Sequence, residues 1–335
     1  ELLSEFIDVM NHVYGEFNAK TEWTPKPYKD GHGQPRYLWT DAFGVVNYLT
    51  LYVYTKEEQY LRQAIILVNN VHEVLGRTRD GKKRIGNAST EHPILNGLRI
   101  GKPEDEGTSM DGDGQYWHYN TKWMFALNRL SVISGDAIYN QWAVEMAKHT
   151  FPKFVDVQNK QHPRMYWKLN INLTKILVNS EGNLDPLDGY VTYKLLEEHN
   201  QHKDSMSLQD EIAVFKRMVD RKVPYYNSDD TLDLGEACWI AHWYLSEEAW
   251  ARRIALKSLR NLNELNEKGV LSDQLPVRYR LAFREFGTAI GTQCLYYNSD
   301  KVRSVADLSK PWQQEIVPSL LKFWKKNIYK RDKDI

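Results

Sequence analysis

Five segments place a carboxylate beside an aromatic ring at the start of a long apolar run. They hold Asp41 in LWTDAF, Asp111 and Asp113 in MDGDGQYWHY, Asp185 and Asp188 in LDPLDGY, Asp233 and Glu236 in LDLGEACW, and Glu285 in AFREFG. Two carboxylates facing each other across a cleft are what glycoside hydrolysis needs, one protonated to donate to the leaving oxygen and one ionised to activate water or attack. Crowding or burial in such a cleft separates the pKa values of its acids and so divides the two roles. On this reading Asp113, with Asp111 as its neighbouring alternative, is the general acid or base and Asp41 its partner. Glu236, Asp188 and Glu285 are reserves for those roles or groups that bind hydroxyls. The structural alternative is that each acid is an ordinary helix cap, favoured by the helix dipole.

Rings and cations accompany these acids. Trp39, Tyr116, Trp117, Trp167 and Trp239 are candidates for stacking on sugar faces, because Trp and Tyr join a large apolar face to a polar edge. His118 in QYWHYN and His242 in CWIAHWYL have the residue type that moves protons near neutral pH. A lone histidine in an aromatic helix is equally an ordinary hydrogen-bonded core residue. Arg164 and Arg284, with Arg36 and Arg99, have the charge to hold a uronate or another anionic group; Lys122 and Lys168, each beside a Trp, could bond to hydroxyls. The plain alternative for all of them is a salt bridge. Alternating Asp and Gly over 111–114 lacks the ligand number and closing Glu of a calcium loop, so no metal is expected, and no cofactor. P-loop, dinucleotide-fold, zinc-protease and serine-hydrolase signatures are all absent from the sequence.

The positioning elements are helices. Three stretches, Tyr37–Leu75, Gln115–Phe154 and Asp233–Leu265, each pair a very apolar run with a break and then an amphipathic one, the pattern of a helical hairpin with an inner and an outer member. Asp185–His199 begins with Asp then Pro, a strong helix start, and Leu208–Asp220 supplies its partner. Arg278–Tyr297 is a further apolar helix, in which Gly287 and Gly291 share a face and permit close approach of a neighbour. Between Gly76 and Gly114 nearly forty residues lack helical periodicity but carry apolar islands at 93–95 and 98–100, which predicts an ordered loop. Gln161–Val178 alternates polar and apolar residues and predicts a short β-ribbon or flap. Uneven spacing of the inner-helix starts favours a closed toroid over an open solenoid: an all-α, single-domain (α/α)6 barrel over residues 1–335, with its acids gathered where the inner helices begin.

Composition narrows the function classes. The 44 basic and 44 acidic side chains cancel, which argues against nucleic acid as a partner, and no apolar run reaches the roughly 20 residues that span a membrane. No leader-like stretch opens at Glu1, the sequons at Asn87 and Asn172 permit glycosylation in a secretory pathway, and a soluble protein, secreted or cytoplasmic, is expected. Cys238 and Cys294 lie in apolar helices and read as buried free thiols. The 11 Trp, 20 Tyr and 10 Phe suit a ring-lined polar groove or simply a core built of large side chains.

Over roughly Arg36–Thr150 the chain resembles the six-hairpin glycosidases such as the unsaturated glucuronyl hydrolases. In these an Asp opens one inner helix and a second Asp opens the next, and each hairpin breaks at a turn like Ile133–Tyr139 (ISGDAIY) here. The resemblance implies a toroid and would set the family's acids on Asp41 and on Asp111 or Asp113. The stretch GQYWHYNTKW departs from that family's methionine-rich helix start. Sugar 2-epimerases of the same ring fold instead use inner-helix histidines to remove and return a proton beside a carbonyl, which His118 and His242 resemble. The expectation is a carbohydrate-active enzyme, a paired-carboxylate hydrolase first, with an epimerase or a non-catalytic glycan-binding protein as alternatives. The oligomeric state is left open.

Overall fold

A computed structural model describes residues 2–18, 20–28, 36–107, 112–159, 161–272 and 274–327. It is 62% helix and 4% strand, as the periodicity predicts. Two compact units, Glu1–Phe215 and Lys216–Ile335, divide the chain.

The first unit contains α1 (Leu2–Tyr14), α2 (Leu38–Thr55), α3 (Glu58–Val74), α4 (Trp117–Ser134), α5 (Ile138–Phe154), α6 (Asp185–Glu198), the short α7 (Lys203–Met206) and the first half of α8 (Gln209–Lys222). α2 packs against both α3 and α4, and α4 packs in turn against α5 and α6, so the first helices of successive hairpins lie side by side. This explains their composition: a helix with neighbours on several sides needs an apolar surface nearly all round. In α4 the buried set includes Trp117, Trp123, Met124, Leu127 and Leu130, and Trp117 closes against Phe154, Tyr193 and Phe215. The break between α4 and α5 has a local cause. Gly135 takes the left-handed conformation (φ 77°) while its N–H bonds to the Ser131 carbonyl, and Asp136 then accepts from the Ile138 N–H at 3.0 Å.

The long loop is ordered over its described residues. Ile85, Ile94, Leu98 and Ile100 are fully buried. Its backbone is tied to the helices on either side: the Arg99 N–H donates to the Leu75 carbonyl at 3.1 Å, and the Leu38 N–H, where α2 begins, donates to the Ile100 carbonyl at 2.9 Å. The ribbon is also present. β1 (Gln115–Tyr116) pairs antiparallel with β4 (Lys168–Leu169), which pairs with β5 (Ile176–Val178), while β2 (Val155–Asp156) pairs with β3 (Arg164–Met165).

The second unit holds the end of α8, then α9 (Thr231–His242), α10 (Ala249–Glu267), α11 (Ala282–Tyr297), α12 (Arg303–Pro311) and α13 (Val317–Asn327). Asp230 caps α9, its carboxylate accepting from the Leu232 and Asp233 N–H groups. α9 packs on α10 and, most extensively, on α11. The glycines set that approach: a Cβ on Gly291 would collide with the carbonyl of Gly235, and one on Gly235 would meet the backbone of Gly287 and Thr288. Cys238 is buried on α9 and Cys294 half-buried on α11, and both are free thiols. Burial pushes the Cys238 thiol well up and that of Cys294 up to about 11. Among the described residues no helix is long and apolar enough to cross a membrane.

The helix contact gives a direct test. Gly291→Ala forces α9 and α11 apart, an overpacking cost of about 1–3 kcal/mol, so thermal unfolding should shift down by several degrees. A melting temperature within one degree of wild type would show that the close approach is not fixed by these glycines.

Candidate functional site

In the first unit the ribbon and two helix starts build one aromatic wall. β1 runs straight into α4, so Tyr116, His118 and Tyr119 emerge together at the helix start, and the pairing of Tyr116 with Lys168 brings Trp167 alongside. The Trp117 N–H donates to the Trp167 carbonyl at 3.0 Å and fixes that register. The Trp167 ring lies nearly parallel to His118, at 10° with centroids 5.8 Å apart, and edge-on to Tyr116 at 5.1 Å. From the first turn of α2, Trp39 meets His118 at 5.7 Å and Tyr119 at 5.2 Å. Trp39, His118, Tyr119 and Trp167 all keep part of their surface exposed, whereas Tyr116 is nearly buried, its hydroxyl donating to the Gly112 carbonyl at 2.9 Å.

His118 is held in one protonation state. The Trp167 indole N–H, which can only donate, bonds to His118 Nδ1 at 3.1 Å. That nitrogen is therefore an acceptor, and the neutral ring carries its proton on Nε2. Burial, with the Lys122 ammonium one turn along α4, pulls the imidazole pKa down to about 3, against a smaller opposing pull from Asp188. Lys122 is itself paired with Asp188 of α6 at 2.7 Å, and the Thr121 hydroxyl donates to the same carboxylate. Thus Lys122, Asp188 and His118 form one electrostatic group at the α4–α6 contact.

The acids expected to oppose one another in a cleft are instead enclosed and matched with cations. Asp41 is 0% exposed and takes a two-pronged contact from Arg36, at 3.0 and 3.1 Å, plus the Tyr28 hydroxyl at 2.5 Å. Asp113, also 0% exposed, accepts from Arg79 at 2.8 Å, Arg99 at 3.0 Å and the Gly101 N–H at 2.9 Å. In the second unit Glu285 is gripped by Arg280 at 2.8 and 2.6 Å and by the Trp324 indole at 2.8 Å. Each of these three acids is thus engaged by one or two guanidiniums. Arg36 and Arg99 are the cations of these pairs rather than free anion ligands. Asp111 lies outside the described residues.

The remaining predicted residues are dispersed. Trp117 is fully buried, its indole N–H donating to the Asp185 carbonyl at 3.0 Å, so it belongs to the core and not to a sugar platform. Lys168 is buried, bonding to the Gly112 carbonyl at 2.8 Å with its ammonium over the Tyr116 ring. Arg164 is exposed on β3, and Arg284 pairs with Asp230 at the surface. In the second unit Glu236 and Trp239 are half-buried on α9, and His242 packs against Trp243 with centroids 4.7 Å apart. His242 Nδ1 bonds to the Trp239 carbonyl, which can only accept, so this ring carries its proton on Nδ1 and leaves Nε2 with a lone pair. Burial lowers its pKa to about 4. Tyr119, two residues after Trp117 at the start of α4, offers a ring for stacking in the sequence as well as in the wall.

No family model matches the chain, and no curated protein matches it in sequence. A solved structure does: cellobiose 2-epimerase from Spirochaeta thermophila DSM 6192 is 14% identical and superposes with a TM-score of 0.58 over 95% of this chain and 84% of its own. At that identity the likeness establishes the fold, the all-α (α/α)6 toroid.

Two outcomes follow from the site. Arg36→Met strands the buried Asp41 charge and should cost about 3–5 kcal/mol in denaturant unfolding, most of it recovered in Arg36→Met/Asp41→Leu; a single variant within 1 kcal/mol of wild type, on the order of ordinary surface substitutions, would contradict the pairing. Trp167→Phe removes the donor that occupies His118 Nδ1. The His118 pKa followed by NMR should then rise above its wild-type value, and an unchanged titration would dissociate the two residues.

Proposed function

We propose that this protein acts on a carbohydrate and that its chemistry is proton transfer beside a sugar carbonyl, that is, epimerisation, rather than glycoside hydrolysis. The observation that carries this reading is the contrast at the aromatic wall: His118 is neutral, partly exposed and flanked by Trp39, Tyr119 and Trp167, while Asp41 and Asp113 are buried within ion pairs. Partly exposed indole and phenol rings suit the faces of a pyranose or of an open-chain sugar. The fold likeness to a protein named as a cellobiose 2-epimerase supports the same class.

Inverting a carbon next to a carbonyl takes three steps. A base removes the C–H proton, the electron pair moves onto the carbonyl oxygen as an enediolate, and a proton returns to the opposite face of the carbon. Imidazoles suit both transfers because each neutral ring offers one donor and one acceptor. His118, with Nδ1 committed to Trp167, has the Nε2–H that donating to an oxygen or carbon requires. The lowered pKa sets the pH response. His118 stays neutral from about pH 5 upward, so it imposes no loss of rate between pH 5 and 8.

Incubation with cellobiose and with free aldoses in D2O tests the proposal. Deuterium at C2 is expected with wild type and should drop by roughly 10²-fold or more in His118→Asn. Release of new reducing ends without deuterium at C2, abolished in Asp113→Asn, would instead restore the paired-carboxylate hydrolase. Neither exchange nor hydrolysis on any sugar would leave the glycan-binding alternative.

A further inference from the structure

The second unit has a cavity that uses none of these residues. It has a volume of about 470 Å³, with one wall formed by α10 and the other by the segment Val223–Asn227 between α8 and α9. On α10, Arg253, Lys257 and Arg260 line it, spaced by four and three residues and so on one helical face. All three are exposed. Among the described residues none of them forms an ion pair; the Arg253 guanidinium reaches only the Pro224 carbonyl, at 3.5 Å. The adjacent carboxylate of Asp230 is already engaged by Arg284 and by the cap of α9. Opposite the cations stands Tyr225, 84% exposed, with its ring uncovered. The wall that carries it is anchored: Asn261 of α10 donates to the Asn227 side chain at 3.0 Å and to the Ser228 carbonyl at 2.8 Å, and Tyr226 turns inward to bond to Asp233 at 3.0 Å.

We infer that this groove is a binding site for a small ring-bearing ligand with two or more oxyanion groups, phosphate or sulfate esters. Three unpaired cations attract anions, and two of them are guanidiniums suited to two-pronged contact with such groups. Seven residues of helix separate Arg253 from Arg260, about 10 Å along the axis. One tetrahedral anion cannot bridge that span, but two on one ring can. The volume is that of a small-molecule pocket rather than of a track for a polymer strand. Tyr225 supplies a flat face against which a ring can lie, with the cations on the other side. Because positive and negative charges balance over the whole chain, the attraction is local, and added salt should weaken it.

Calorimetric titration of the full chain with a sugar bisphosphate, a disulfated disaccharide and inorganic phosphate separates the sources. Wild type should bind a bis-anionic probe at least roughly tenfold more tightly than inorganic phosphate, a difference of about 1.4 kcal/mol, and more weakly as salt is raised. The probe that binds identifies the ester. Arg253→Gln/Lys257→Gln/Arg260→Gln should lose that binding by tenfold or more. Tyr225→Ser should weaken the ring-bearing probe and leave inorganic phosphate unchanged. If the triple variant does not fold, the single exposed-site changes Lys257→Gln and Arg260→Gln carry the same comparison, each with a smaller loss. The inference is overturned if no bis-anionic probe binds in the millimolar range, if the charge variants bind as wild type does, or if inorganic phosphate binds equally well.

Discussion

A carboxylate buried at the start of an apolar helix needs a cation or several hydrogen-bond donors to replace the water it loses. The cost of removing an unpaired carboxylate from water is several kcal/mol, more than the margin by which most single changes are tolerated. This protein meets that constraint repeatedly. Arg36 precedes Asp41 by five residues before α2, and Arg280 precedes Glu285 by five residues at α11; each guanidinium forks onto its carboxylate. Asp113 draws Arg79 and Arg99 from the long loop, and Asp188 draws Lys122 from α4. The loop is ordered partly because it delivers those two arginines, and the α4–α6 contact is polar at one point because Lys122 and Asp188 meet there.

The same pairing decides which groups remain available for chemistry. Acids locked to guanidiniums are taken up by those contacts, and the titratable group left within the wall is His118. His118 sits within the wall that the ribbon completes, and its neighbours act on it in one direction: burial and the Lys122 charge keep it neutral, and the Trp167 indole determines which nitrogen carries the proton. His242 is neutral for the same primary reason, burial, but its proton lies on the other nitrogen because its partner is a carbonyl.

Much of this architecture was legible in the sequence because it is written locally. The Gly135–Asp136 turn, the α9–α11 glycines, the apolar islands of the long loop and the alternation of the ribbon each depend on a few adjacent residues, and each appears as read. The site was less legible because it depends on direction. α4 is apolar almost all round, so the sequence offers no face from which to tell that Trp117 turns into the core while His118 and Tyr119 turn to the wall. The surroundings of the acids were equally hidden, since a helix start shows where Asp41 lies but not that an arginine closes over it. The five-residue spacing from Arg36 to Asp41 and from Arg280 to Glu285 is the sequence signal that a buried ion pair was intended. The three cations of α10 drew no notice in the sequence, because the wall opposite them, which makes a groove of a charged stripe, appears only in the fold.

A neutral histidine with a fixed tautomer, and not a free carboxylate, is the titratable group of the aromatic wall. Long-range ¹H–¹⁵N correlation spectra of the imidazole nitrogens, recorded on the intact protein from pH 8 down to pH 4, test it most directly. His118 should remain neutral throughout, with its proton on Nε2 and Nδ1 unprotonated. A His118 ring that is doubly protonated by pH 6, or that carries its proton on Nδ1, would contradict it.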